Sequence, residues 1–255
     1  MITFKDKVAL VTGGSRGIGA ATVRAIVAAG GSVIIHYGAN QHAAEQLATD
    51  MGKDRCHLIK ADLADIGAAA AVWRDALAWQ GRIDVLINNA GVFLAEDRNG
   101  TDDAWREVWA RTLQINLIST ADLCREAINH WLKTGVGGAI VNVASRAAFR
   151  GDDPDHWSYA ASKGAMVSLT KTLARAYSGN GIYSYGIAPG FVLTDMVQSE
   201  FEREPGLAEH LLKGIPYGAF APATEIANAI CFFASGMATH ATGQTLDING
   251  ASYVR

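Results

Sequence analysis

Cysteine is scarce in this chain, and what there is does not pair up. Cys56, Cys124 and Cys231 are odd in number, far apart and without C-x-x-C spacing, which argues against a disulfide framework or a zinc site and leaves reduced core thiols as the expectation. Basic clusters are missing too. Lys and Arg are scattered, and a formal net charge of −3 gives no field for gathering phosphate backbones, so nucleic acid is not an expected partner. No apolar run approaches the ~20 residues that span a bilayer. The opening residues, Met1 to Leu10, place Lys5, Asp6 and Lys7 before a short apolar run, unlike a secretion signal. A cytoplasmic protein with no membrane partner is the expectation. Repeats, low-complexity tracts and Pro/Ser linkers are likewise absent, so nothing divides the chain.

What remains is 255 residues, 49% of them hydrophobic, enough to bury one large core and expected to form a single domain over 1–255. Short β-branched runs at 8–12, 32–36, 56–60, 84–87, 138–143, 181–187 and 245–248 alternate with Ala-rich segments of helical period. Strands separated in this way by helices imply right-handed crossovers. The expected fold is α/β: a doubly wound (Rossmann) sheet of about seven parallel strands with helices on both faces. One long irregular stretch, about 191–220, stands out as a candidate flap. Its apolar Phe191, Met196, Phe201, Leu207, Leu211, Leu212 and Ile215 either close over a ligand or pack the segment against its own sheet.

Directly after the first strand the chain reads Thr12-Gly-Gly-Ser-Arg-Gly-Ile-Gly19, opening an Ala- and Val-rich helix. Glycines there permit a tight turn and let the amides of a helix N-terminus approach a pyrophosphate, whose charge the helix dipole favours. Gly13, Gly17 and Gly19 are spaced G-x-x-x-G-x-G, with Ser15, Arg16 and Ile18 between them, and not the G-x-G-x-x-G of longer dehydrogenases. Asp62, followed by Leu63, ends the third strand, where its carboxylate can accept from an adenine amino group or cap the next helix. Asn88-Asn89-Ala90-Gly91 follows the fourth strand at the carboxyl edge where ligands of open sheets bind. Its polar pair can stabilise the turn, line an adenosine pocket, or both.

Ser145 comes just after the strand at 138–143, and Tyr159-Ala-Ala-Ser-Lys163 lies in a segment of helical period. The i, i+4 spacing puts the phenol and the ammonium on one helical face. A neighbouring Lys⁺ stabilises phenolate, so the pair can exchange protons nearer neutral pH. Alone, Y-x-x-x-K is a common surface pair. With its company it is specific: the chain resembles the short-chain dehydrogenase/reductase family over nearly its whole length. The matching pieces are Thr12 to Gly19, Asp62, Asn88 to Gly91, Asn116 in Leu113-Gln-Ile-Asn-Leu117, Ser145, Tyr159 with Lys163, and Pro189-Gly190 followed by Thr194.

The resemblance implies a nicotinamide-dependent oxidoreductase that moves a hydride between the cofactor and a carbonyl or alcohol. In that scheme Tyr159 is the acid/base residue, and Ser145 hydrogen-bonds the reacting oxygen. Lys163 binds the nicotinamide ribose and lowers the Tyr159 pKa. Asn116 holds a water that links Lys163 to solvent, and no metal takes part. Pro189, Gly190, Val192 and Thr194 line the nicotinamide end. Two departures are visible. Ser184-Tyr185 stands where many relatives carry Val-Asn, which affects strand packing and the back wall of the site. The loop bordering the substrate crowds together Arg146, Arg150, Asp152, Asp153 and Asp155, suited to a polyhydroxy or cationic substrate unless it is simply solvated. His156 is left outside the site.

The general look is that of 3-oxoacyl-carrier-protein reductases and the allied sugar, polyol or small-alcohol dehydrogenases. The rival from another class is a non-catalytic dinucleotide-binding sensor. An intact set of Asn116, Ser145, Tyr159 and Lys163 argues against it. NADP(H) is expected over NAD(H). NAD-specific sites of this fold place an acid about 20 residues past the glycines, and here the second strand ends His36-Tyr-Gly-Ala-Asn40 with Tyr37 in that place. Arg16 is placed to pair with a 2′-phosphate, to which Asn40 or the amides near Gly38 can also donate. A homotetramer is expected from the resemblance, from Ala-rich helical segments near 121–131 and 158–177, and from a 250–255 tail able to pack across an axis.

Overall fold

The computed structural model describes residues 1–194, 197, 201, 203 and 206–255. Seven strands form one parallel sheet: β1 (Val8–Val11), β2 (Ser32–Tyr37), β3 (Cys56–Lys60), β4 (Val85–Asn88), β5 (Gly138–Val143), β6 (Ile182–Pro189) and, last in the chain, β9 (Thr245–Ile248). Their order is β3-β2-β1-β4-β5-β6-β9. All seven strand segments read from the sequence are present, and β3, β5 and β9 keep the expected ends. A second, two-stranded ribbon pairs β7 (Val192–Leu193), at the start of the 191–220 region, with β8 (Ala221–Pro222), just after its end.

Strand alternation builds two apolar layers. In β1, Ala9 and Val11 face one core with Val23 and Ile26 of α1 (Gly17–Ala28) and with Ile226 and Ile230 of the C-terminal helix Ala223–Ala234. Val8 and Leu10 face the other, with Val72, Trp73 and Ala76 of α3 (Ala68–Gln80) and Leu123, Ala127 and Trp131 of α5 (Ser119–Thr134). Each Val, Leu or Ile side chain so removed from water stabilises the fold by roughly 1.5–3 kcal/mol. The three cysteines are free and lie in these cores, and burial pushes their thiols up. Tyr185, one of the departures from the family pattern, stacks on Phe233 at 4.7 Å between ring centroids. That residue therefore packs under the C-terminal helix rather than forming a wall of the site.

Strand order reverses between β1 and β4, the crevice where open sheets of this kind bind ligands. Three further features aim side chains at it. Helix α2 (Gln41–Met51) follows β2, with Asn40 as its cap. Between α4 (Asp102–Leu113) and α5 the chain widens into a π-helical turn, Gln114–Ile118, that buries Asn116 completely. Beyond the short α6 (Ala147–Arg150), helix α7 (Trp157–Tyr177) carries Tyr159 and Lys163 in its first two turns. Among the described residues no helix is long and apolar enough to cross a membrane. In the candidate flap Ile215 is buried and Phe191 and Phe201 both pack on Phe220, whereas Met196 lies outside the described residues.

Candidate active site

The glycine-rich turn is sewn to the end of β4. The Thr12 hydroxyl accepts from the N–H groups of Asn89 and Ala90, both at 3.0 Å, and Asn89 Nδ2 donates back to the Thr12 and Gly13 carbonyls at 2.9 and 3.1 Å. Asn89 thus both stabilises the turn and borders the crevice. Gly13 and Gly17 have φ of +60° and +55°, a region that side-chain-bearing residues rarely adopt. Gly19 works differently. A methyl there would strike the Gly13 carbonyl and sit 2.7 Å from Asn89 Nδ2, so its smallness lets α1 begin hard against the turn. Arg16, the residue that caps α1, makes no side-chain capping bond, and the first turn holds no acid. The opening N–H groups of α1 are left without a side-chain partner, as anion-binding helix starts are.

A cavity of about 740 Å³ opens over this turn. Of the sequence candidates, Gly13, Ser15, Arg16, Gly17 and Ile18 line it, as do Asp62, Leu63, Asn89, Ala90, Gly91 and Thr194. Gly19 and Tyr37 do not: the first packs inside, and the Tyr37 ring is buried. Pro189 ends β6, and Gly190 and Val192 follow it, all three outside this lining. Gly190 is pressed so closely on Asn249 that a Cβ would lie 2.8 Å from its Cα. The uncapped helix start, the positive-φ glycines and the size of the cavity suit the diphosphate of a dinucleotide.

Three titratable residues that the sequence did not mark as site members also line the cavity: His36, Lys60 and Arg111. His36 Nδ1 accepts from Gly13 N at 3.2 Å while Nε2 donates to the Ala61 carbonyl at 3.2 Å, an arrangement that requires the neutral ring. Burial lowers its pKa from the ordinary 6.5, against the Ala61 bond and the Asp62 charge, which raise it. Arg111 pairs with Asp62 at 3.4 Å across 49 positions of sequence. The other oxygen of Asp62 accepts from Ala64 N at 2.9 Å, so this carboxylate holds its own turn and does not cap α3, whose cap is Gly67. Asn40 accepts from Ala43 N through its side-chain oxygen, leaving its amide N–H groups to donate.

The four catalytic candidates come together beside this cavity. Lys163, only 3% exposed, donates from Nζ to the Val143 carbonyl at 2.8 Å and stands 5.7 Å from the Tyr159 ring centroid. Burial pulls its pKa down from 10.5 to about 8. Tyr159 moves the other way: burial raises the phenol, a hydrogen bond with Ser145 lowers it and the Asp152 charge raises it, so the net direction is upward and not the lowering that the Lys163 spacing suggested. Ser145 also accepts from Ala147 N at 3.1 Å. The Asn116 amide is engaged at both ends, accepting from Val92 N at 2.8 Å and donating to Val92 O at 3.0 Å and Ser162 Oγ at 3.1 Å. A water held by Asn116 is left the second lone pair of Oδ1 or the backbone carbonyl, which already accepts from Thr120 Oγ1 at 3.1 Å. A Cβ on Gly91 would lie 3.3 Å from Asn116 Oδ1 and 3.4 Å from Lys163 Nζ, which places the cavity wall directly on these two candidates.

Comparison with known proteins agrees with this geometry. The family model described as short chain dehydrogenase matches residues 7–205. D-threitol dehydrogenase of Mycolicibacterium smegmatis is 40% identical, covering 98% of this chain and 94% of that protein. The 3-oxoacyl-[acyl-carrier-protein] reductase FabG of Staphylococcus aureus is 32% identical over 97% of this chain and 98% of its own length. With the seven-stranded parallel sheet and the matched length, the chain belongs to the short-chain dehydrogenase family, the oxidoreductases that act with a nicotinamide cofactor on alcohol and carbonyl groups.

Proposed function

We propose that the chain interconverts a carbonyl and its secondary alcohol with NADP(H), Tyr159 being the proton donor in reduction. The observation that carries the reading is geometric: the Tyr159 ring stands 5.7 Å from the buried Lys163 ammonium, which lies against the cavity wall at Gly91, and burial raises the phenol above its ordinary pKa. When bound, the nicotinamide supplies or takes up the hydride. Tyr159 gives its proton to the carbonyl oxygen, and Ser145 Oγ orients that oxygen. Two donors set where an alkoxide develops stabilise charge only where it forms. Lys163 holds the nicotinamide ribose, and Asn116 connects it to solvent. Pro189, Gly190, Val192 and Thr194 form the nicotinamide side. NADP(H) is favoured over NAD(H) because the end of β2 offers His36, Gly38 and Asn40 with no acid, while Arg16 and Lys60 supply cations around the cavity and Arg111 offsets the Asp62 charge.

Two substrate classes fit. The FabG relatives point to a 3-oxoacyl thioester. A polyol or ketose is favoured by the Asp152 carboxylate, whose charge reaches Tyr159 and which suits hydroxyl groups better than an acidic carrier protein. In this reading the chain works as one domain over 1–255, with 191–220 closing over substrate. The working form is a cytoplasmic homotetramer whose two-fold faces cover Leu132 and Phe232, both exposed in the single chain. Light scattering that returned the mass of one chain would refute the tetramer.

The deciding experiment follows nicotinamide absorbance with acetoacetyl-N-acetylcysteamine and with D-threitol, each with both cofactors, in wild type and Arg16→Ala. Turnover with a higher kcat/KM for the phosphorylated cofactor, and loss of that preference in Arg16→Ala, is expected. A wild-type preference for NAD(H), or an Arg16→Ala chain that discriminates as well as wild type, would overturn the cofactor assignment.

A further inference from the structure

Tyr159 is the third residue of α7, after Trp157 and Ser158, whose N–H groups have no acceptor within the helix. His156, the residue ahead of them, makes no side-chain capping bond. The acceptor comes from another part of the chain. Glu96, in the loop after β4 and only 4% exposed, receives Trp157 N on Oε2 and Ser158 N on Oε1, both at 2.7 Å. Its own N–H donates to the Asp155 carbonyl at 2.7 Å. From the same loop Phe93 lies flat on His156, with ring centroids 3.7 Å apart and planes 5° apart, and meets the Tyr159 ring edge-on at 4.8 Å.

One segment therefore does two things. At Ala90 and Gly91 it is the wall of the dinucleotide cavity, and a few residues later it grips the start of the catalytic helix. A carboxylate bonded to two helix-start amides is a charge-assisted pair favoured by the helix dipole, so it fixes position as well as adding stability. We propose that Glu96 is a positioning residue that sets where the Tyr159 phenol stands relative to the cofactor wall formed by Ala90 and Gly91. The proposal rests on Tyr159 being the proton donor.

The test uses the full chain labelled with ¹³C at tyrosine Cζ, where Tyr159→Phe identifies which of the seven tyrosine signals belongs to Tyr159. Two variants are compared with wild type. Glu96→Gln keeps the reach but offers a donor where the second amide needs an acceptor. Glu96→Asp keeps the charge but is one methylene short, so a change in it reports displacement and not charge. In both, the Tyr159 signal and its titration midpoint should move while the other six signals stay, showing that the fold is intact. Turnover of the accepted substrate should fall about tenfold to 100-fold, the cost of a misplacement near 1 Å, with KM little changed. On a Tyr159→Phe background neither substitution should cost anything further.

A folded Glu96→Asp chain with the wild-type Tyr159 signal and midpoint would overturn the proposal, as would full multiplication of the two rate losses. Should Glu96→Gln not fold, Glu96→Asp carries the test alone. A Tyr159→Phe chain that kept its turnover would instead remove the proposed role of Tyr159, and the tyrosine spectra would still judge Glu96.

Discussion

Replacing Lys163 with Met should stabilise the protein while destroying its activity. The ammonium is buried, its pKa is pulled from 10.5 to about 8, and burial is the whole cause. At 1.36 kcal/mol per pH unit the cost of keeping it charged at neutral pH is about 3 kcal/mol. Met retains most of the apolar stem and removes the charge, at the expense of the bond to the Val143 carbonyl, which is worth about 1 kcal/mol. The net gain of about 2 kcal/mol raises the unfolding midpoint of a chain this size by about 4 to 8 °C. The pH dependence gives a second handle. Between 10.5 and about 8 the unfolded chain binds the proton that the folded one resists, so wild type loses stability as pH falls through that window and levels off below it. The advantage of Lys163→Met should therefore grow from high pH down to about 8 and then stay constant. Thermal unfolding by circular dichroism from neutral pH to above 10, without cofactor, measures it. A midpoint that dropped in the variant, or a difference that ignored pH, would refute the idea that the site holds a buried ammonium whose desolvation its one hydrogen bond only partly offsets.

Other consequences can be checked on the same preparations. Tyr159→Phe should cut turnover ~10²- to 10⁴-fold with cofactor affinity intact, since it removes one oxygen and little volume; near wild-type turnover would discard the mechanism. Gly19→Ala forces α1 away from the Gly13 carbonyl and Asn89. Overpacking of roughly 1–3 kcal/mol should appear as weaker NADPH binding by fluorescence titration, and unchanged affinity would show that the turn has slack. Protonated His36 cannot accept from Gly13 N, and because burial lowers its pKa from 6.5, wild-type affinity for NADH should begin to fall only below that value. His36→Asn, which keeps an acceptor near Nδ1 and does not titrate, should be flat over the same range; an identical acid fall in both would clear His36 of the effect.

The seven strands were legible because each is a short β-branched run between helical stretches, and a parallel sheet buried on both faces needs little more than that. Candidate residues were legible where chemistry and chain position coincide: Gly13 and Gly17 must take positive φ just where a strand becomes a helix, and Tyr159 and Lys163 are a helical turn apart. Less legible were residues whose role is set by distant partners. Glu96 reads as one acid in a polar loop until the fold brings it to Trp157 and Ser158, 61 and 62 positions later. Arg111 sits on an exposed helix and meets Asp62 only through tertiary packing. His36 was in view at the end of β2, but its part in holding Gly13 depends on a turn 23 residues upstream. Even Gly19, which the motif marks, was assigned for approach to a ligand, whereas the clash that a methyl would make is with the turn itself. Local spacing reports what a residue can do. The position from which it acts is fixed by contacts such as Glu96 on α7, and those contacts connect the cofactor wall to the proton donor.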